Sequence, residues 1–159
     1  MYSILAYLSD NQLDLSDVKV YPEEGIESLS IPSRGGETGM ILNYQSSSEQ
    51  GSHWYAIILH EGDQSPSDQT SSQAYVFDSL GAPPDDTITE WADRNNITLV
   101  TSTAKAQSNS SSLCGLWAIW FIYMTRFVSP ETLYRIIDHL DTYEEKTQLL
   151  RSMLEHQAN

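Results

Sequence analysis

Cysteine is nearly missing. The chain has a single one, Cys114, in 159 residues, so no intrachain disulfide can form and a disulfide-stapled secreted module is excluded. Basic residues are scarce as well. Lys and Arg total 8 against 22 Asp and Glu, a formal charge of −14. The imbalance is local: residues 1–93 hold 16 of the acids beside only Lys19 and Arg34, whereas residues 94–159 hold 6 acids and 6 bases. A surface of that sign repels a phosphate backbone, so bulk nucleic-acid binding is not expected. Long hydrophobic runs are also lacking. The longest, Leu113 to Thr125, has 13 residues, and a membrane span needs about 20. The first ten residues carry no basic group and only a short apolar stretch, which is not the pattern of a signal peptide. His60, His139 and His156 fall on separate elements with no zinc spacing, and no Gly-rich phosphate loop is present. The expectation is an intracellular protein with no membrane contact, no metal and no cofactor.

What is present suits one domain spanning residues 1–159. Forty per cent of the residues are hydrophobic, enough for a core, and the 22 serines lie mostly between apolar runs. Short strands are expected at 18–21, 40–44, 53–60, 74–78 and 97–101, and a short helix at 2–8. The run from His53 to His60 is nearly continuous in apolar residues, as in a central strand covered on both faces. Residues 61–73 read as a polar loop whose acids Glu61, Asp63 and Asp68 either are solvated or flank a cleft. A helix is expected from Thr87 to Asn95, with Asp86 as its cap. Residues 113–127 are apolar on every side and read as a buried central helix. Ser129-Pro130-Glu131 opens another helix, and Asp141 to Glu144 fits a capping box for a last one running to about Glu155. The fold class is therefore α+β: a central mixed sheet packed by helices, with Cys114 at the N-terminus of the buried helix.

That arrangement brings chemistry together. In an antiparallel pair the start of one strand lies beside the end of the other. His53 begins the first of the two best strands and Asp78 ends the second, so they share one edge of the sheet. The carboxylate can then fix the ring's tautomer and stabilise its charged form. Cys114 stands at a helix N-terminus, where the helix dipole favours a thiolate. Thiolate beside imidazolium is an activated nucleophile. The backbone N–H of Cys114 and the side-chain amide of Gln107, seven residues earlier, are donors for a developing oxyanion. Taken alone, each residue has a plainer role. Cys114 can be a buried small side chain, His53 and Asp78 can be structural, and Trp54 can be a core aromatic.

The pattern His53-Trp54, then Phe77-Asp78-Ser79-Leu80-Gly81, then Gln107 with Cys114-Gly115, resembles the clan of cysteine peptidases that includes the adenovirus protease and the SUMO proteases. It is most similar to the adenain-like viral maturation proteases, in which a Gly-x-His-Trp segment (here Gly51 to Trp54) follows a short apolar strand. The resemblance covers about residues 38–127. It implies a papain-like or adenain-like fold and a cysteine endopeptidase. Cys114 would be the nucleophile, His53 the general base, Asp78 the orienting acid and Gln107 the oxyanion donor, with Gly51, Trp54 and Gly115 beside the substrate. The implied substrates are viral capsid or core precursors cut at Gly-containing sites, or alternatively ubiquitin-like conjugates. Two departures matter. The adenovirus enzymes are basic and are stimulated by DNA and by a disulfide-linked peptide, whereas this chain is acidic and its one cysteine is the proposed nucleophile. Activation by DNA is therefore not expected, nor is a disulfide-linked activator unless it joins through Cys114. A Cys/His/acid set also suits an acetyltransferase, but no basic cluster is available to hold CoA.

Overall fold

The computed structural model describes residues 18–22, 25–26, 36–43, 53–62, 64–65, 68–69 and 72–157. The expected helix at 2–8, together with Tyr44, Gly51 and Asp63, lies outside the described residues. Five strands form one mixed sheet: β1 (Lys19–Pro22), β2 (Glu37–Asn43), β3 (Trp54–His60), β6 (Ser72–Phe77) and β7 (Ile97–Val100), side by side in that order. The central pairs, β2 with β3 and β3 with β6, are antiparallel, while the outer strands β1 and β7 join in parallel. Between β3 and β6 the polar segment contributes a two-stranded turn, β4 (Gln64–Ser65) with β5 (Asp68–Gln69).

Both faces of the sheet are covered, which is why β3 lacks polar alternation. Ala56 and Ile58 face one core with α2 (Cys114–Met124), α3 (Pro130–His139) and α4 (Tyr143–Gln157). Tyr55, Ile57 and Leu59 face the other, with Ile88, Trp91 and Ala92 of α1 (Asp86–Arg94). A helix apolar all round can only be buried, and α2 is: Trp117 to Ile122 are all at most 3% exposed. It runs along β3. Cys114 lies by Trp54, and Ile122 lies against Gly39 and Ile58. Eight helical steps cover about 12 Å, and the four strand steps from Trp54 to Ile58 cover about 13 Å, so the two stay in step. Gly39 permits the approach, because a Cβ there would meet Ile122 at 3.2 Å.

Capping differs from expectation in two places, each by one residue. Asp85, not Asp86, caps α1, its Oδ1 accepting from the Ile88 N–H at 3.2 Å. Thr142, not Asp141, caps α4: its Oγ1 accepts from the Glu145 N–H, and Glu145 Oε2 accepts from the Asp141 N–H, both at 3.1 Å. In both cases the helix begins one residue away from the expected start, so the residue just outside its first turn, with extended backbone at Asp85, does the capping. Ser129 caps α3 as expected, with Pro130 in the first turn. Glu61 departs further. It follows the end of β3 remote from His53, so it does not flank that site, and it is 7% exposed rather than solvated.

Candidate active site

Three elements bring the sequence-selected residues to one edge of the sheet. The β3–β6 register pairs Ala56 with Phe77, so the residue entering β3 and the residue leaving β6 emerge together. There the Nε2 of His53 is 2.7 Å from Oδ1 of Asp78. The same Oδ1 accepts from the Leu80 N–H at 2.9 Å, so two bonds orient a carboxylate that is only 3% exposed. Packing behind it is aromatic. Phe77 stacks on Phe121 at 4.7 Å between centroids, and Phe121 stacks on Tyr134 at 5.7 Å. The Tyr134 hydroxyl donates to the Val76 carbonyl at 2.8 Å. The strand end that delivers Asp78 is thus fixed by α2 and α3.

Cys114 is half-buried and lies close enough to His53 for each to shift the other's titration. Burial raises the thiol's pKa, but the His53 hydrogen bond, the backbone N–H of Trp54, the imidazole charge and the Gly115 N–H together lower it below its ordinary 9.0. No side chain caps α2, since Leu113 occupies the cap position, so the first N–H groups of the helix remain directed at this corner. His53 shows the complementary change. Burial alone would lower its pKa, yet Asp78 first and Cys114 second raise it from 6.5 to about 9. Each partner thus favours the charged form of the other.

Gln107 lies on the neighbouring loop and is 4% exposed. Its backbone N–H and that of Ala106 both donate to the Ser79 carbonyl, at 3.2 and 2.8 Å. The Asp78-to-Gly81 turn therefore places both the acid and the glutamine. Gly81 makes this possible: its φ is +70°, and a Cβ there would sit 2.7 Å from the Thr103 carbonyl oxygen. The glutamine side chain has one long bond, Nε2 donating to the Ser111 carbonyl at 3.4 Å, and its Oε1 is buried without a hydrogen-bond partner. Trp54 is half-buried at the start of β3 and packs on the core around α2, and Gly115 is half-buried in the first turn of α2. Among the described residues no group of three His, Cys, Asp or Glu side chains could hold a metal ion. None of their helices is long and apolar enough to cross a membrane.

Sequence reasoning missed the backbone groups: the Trp54 N–H on the sulfur, the Leu80 N–H on the carboxylate and the Ser79 carbonyl under Gln107. Every residue carries such groups, so side-chain identity gives no signal for them.

No family profile and no curated protein matches the chain by sequence. Among solved structures, the fold is similar to that of the ASFV pS273R protease. The selenomethionine form has a TM-score of 0.51 and 21% identity over 72% of this chain and 42% of that one. A second structure of the same protease gives 0.47 and 20% identity over 69% and 39%. The Legionella pneumophila effector protein RavZ gives 0.42 and 10% identity over 74% and 41%. The chain matches only about two-fifths of the length of these proteins. The likeness to the first is one of fold: an α+β domain with a mixed sheet and Cys114 at the N-terminus of a buried helix.

Proposed function

We propose that the chain is a cysteine endopeptidase carried by a single domain. The observation that carries this reading is the convergence of Cys114, His53 and Asp78, from three separate elements, at one corner, with His53 bonded to Asp78 at 2.7 Å and electrostatically coupled to Cys114. In this reading the Cys114 thiolate attacks a peptide carbonyl carbon. The displaced electron pair gathers on the carbonyl oxygen, where Gln107 Nε2 and the Cys114 N–H take up its charge. The imidazolium gives its proton to the leaving amine. Neutral His53 then accepts a proton from the water that attacks the thioester, and collapse releases the acid product and restores the thiolate beside the imidazolium. Asp78 holds the ring throughout without being protonated.

The substrate is a polypeptide. Resemblance to the adenain-like proteases favours viral precursor proteins cut at Gly-containing sites, and the fold likeness to a viral protease supports the same setting. His53 and Asp78 come from the acidic half of the chain, Gln107 and Cys114 from the neutral half, so the cleft between them prefers neutral or basic segments. Stimulation by DNA does not fit a charge of −14. The aspartate at position 78, where the adenovirus enzymes tend to have glutamate and the SUMO proteases aspartate, favours a second reading in which ubiquitin-like conjugates are the substrates.

The test is hydrolysis of a Gly-containing fluorogenic peptide and of a capsid precursor by the wild type and Cys114→Ala. Turnover by the wild type alone is expected, and equal rates would overturn the proposal. A panel of ubiquitin-like proteins with C-terminal reporters separates the two substrate classes.

A further inference from the structure

Lys146 is half-buried on α4, and its Nζ donates to the backbone carbonyl of Lys105 at 2.6 Å, across 41 residues of sequence. Lys105 lies two residues before Gln107, in a stretch from Thr101 to Leu113 without helix or strand. Such a stretch holds its course only through bonds to its neighbours. On one side the Ser79 carbonyl accepts from Ala106 and Gln107. On the other side stands Lys146. The Lys105 side chain turns elsewhere, its Nζ donating to Asn109 Oδ1 at 2.7 Å. The contact with α4 is therefore made to the main chain, where it sets the direction of the peptide plane leading into Gln107. The ammonium is itself confined, 5.3 Å from the centroid of the Tyr143 ring. A charged donor also holds a carbonyl more firmly than a neutral one.

We propose that Lys146 is a positioning residue for the oxyanion donor. It clamps the Lys105 peptide from α4, so that the Gln107 side chain stays at the mouth of α2. This rests on the reading of Gln107 given above. It makes the α4 helix, which contributes no reacting atom, a determinant of turnover.

The test compares wild type, Lys146→Met, Lys146→Arg, Gln107→Ala and the double variant Lys146→Met/Gln107→Ala. The readouts are peptide hydrolysis, iodoacetamide alkylation of Cys114, and amide exchange at Ala106 and Gln107. Lys146→Met should lower kcat about tenfold, a fraction of the loss from removing an oxyanion donor outright, with KM little changed. Lys146→Arg should restore most of that loss. Alkylation should be unaffected, because the His53–Cys114 pair does not involve α4. Exchange at Ala106 and Gln107 should quicken, while that at Leu80 does not. In the Gln107→Ala background the Lys146→Met change should cost nothing further. A wild-type kcat in Lys146→Met, or an equal loss with and without Gln107, overturns the proposal. If Gln107→Ala itself keeps the wild-type kcat, the reading of Gln107 has failed, and the clamp loses its role in turnover even where the exchange data show the contact.

Discussion

Strand β3 carries an imidazole–carboxylate pair at each end, and the two could hardly differ more. At its start, His53 and Asp78 are 2.7 Å apart with side chains 21% and 2% exposed. At its end, His60 and Glu37 are 3.9 Å apart and 60% and 54% exposed. Each pairs an imidazole with a carboxylate, so the main difference lies in the surroundings. Water screens the outer pair, and such contacts contribute about 0–1 kcal/mol. The inner carboxylate is shielded, held by a backbone N–H and backed by stacked rings, and the inner imidazole has a third group, Cys114, to act on. A His beside an acid is common. An acid fixed on one side of the ring, with a thiol on the other, is what sets the first pair apart.

The contrast can be tested at both ends. Removing charge from the inner pair should have the largest effect. Asp78→Asn should slow peptide hydrolysis by about 10²-fold, the low end of the range for a positioned acid–base group. The midpoint of Cys114 alkylation against pH should also move up toward 9.0, because His53 loses the partner that sustains its charge. An unmoved midpoint would break the contrast. Gly81→Ala strikes the turn beneath the pair. It forces a non-glycine residue into a left-handed conformation, at about 1–3 kcal/mol, and drives a Cβ toward the Thr103 carbonyl. Urea denaturation should register that loss, with lower turnover as the loop bearing Gln107 shifts.

A subtler effect concerns pH. The folded pKa of His53, about 9, exceeds its ordinary 6.5. Its pairing therefore stabilises the fold fully below about pH 6.5, and that stabilisation is lost as the pH rises through about 9. Cys114, shifted down, contributes in the opposite sense: fully above 9.0, and lost as the pH falls through its lowered value. In the wild type the two trends oppose each other from the lowered pKa of Cys114 up to about 9. In Cys114→Ala the opposing cysteine trend is gone and only the part of the histidine shift due to Asp78 survives, so its unfolding free energy should fall more steeply just above pH 6.5. Parallel profiles for the two proteins would contradict this coupling. At the outer pair, His60→Ala should change stability by less than about 0.5 kcal/mol and leave hydrolysis unchanged. A loss of activity there would mean the two ends are not independent.

Much of this architecture was legible beforehand, and for definite reasons. The continuous apolar run of β3 announced a strand buried on both faces, and a stretch apolar on every side, Leu113 to Thr125, announced the helix beneath it. Periodicity reports burial, and burial limits where such elements can sit. The order of the strands and their lengths then brought His53 and Asp78 to a common edge. Less legible was whatever depends on backbone groups or on distance along the chain. The one-residue shifts at Asp85 and Thr142 followed from where each helix begins, and the burial of Glu61 from the course of the chain after β3.

The sequence by itself determined the ingredients: a single thiol at the head of an apolar helix, a histidine and an aspartate at strand ends, a glutamine in a polar loop and an excess of acid over the first 93 residues. These follow from local pattern and composition, which are properties of neighbouring residues. Only the tertiary structure decided which of the two imidazole–carboxylate pairs would be shielded and linked to sulfur, and that a lysine 41 residues away would reach the loop that carries Gln107. Shielding and long-range hydrogen bonding arise when separate elements pack together, and the chain's linear order does not contain that distance.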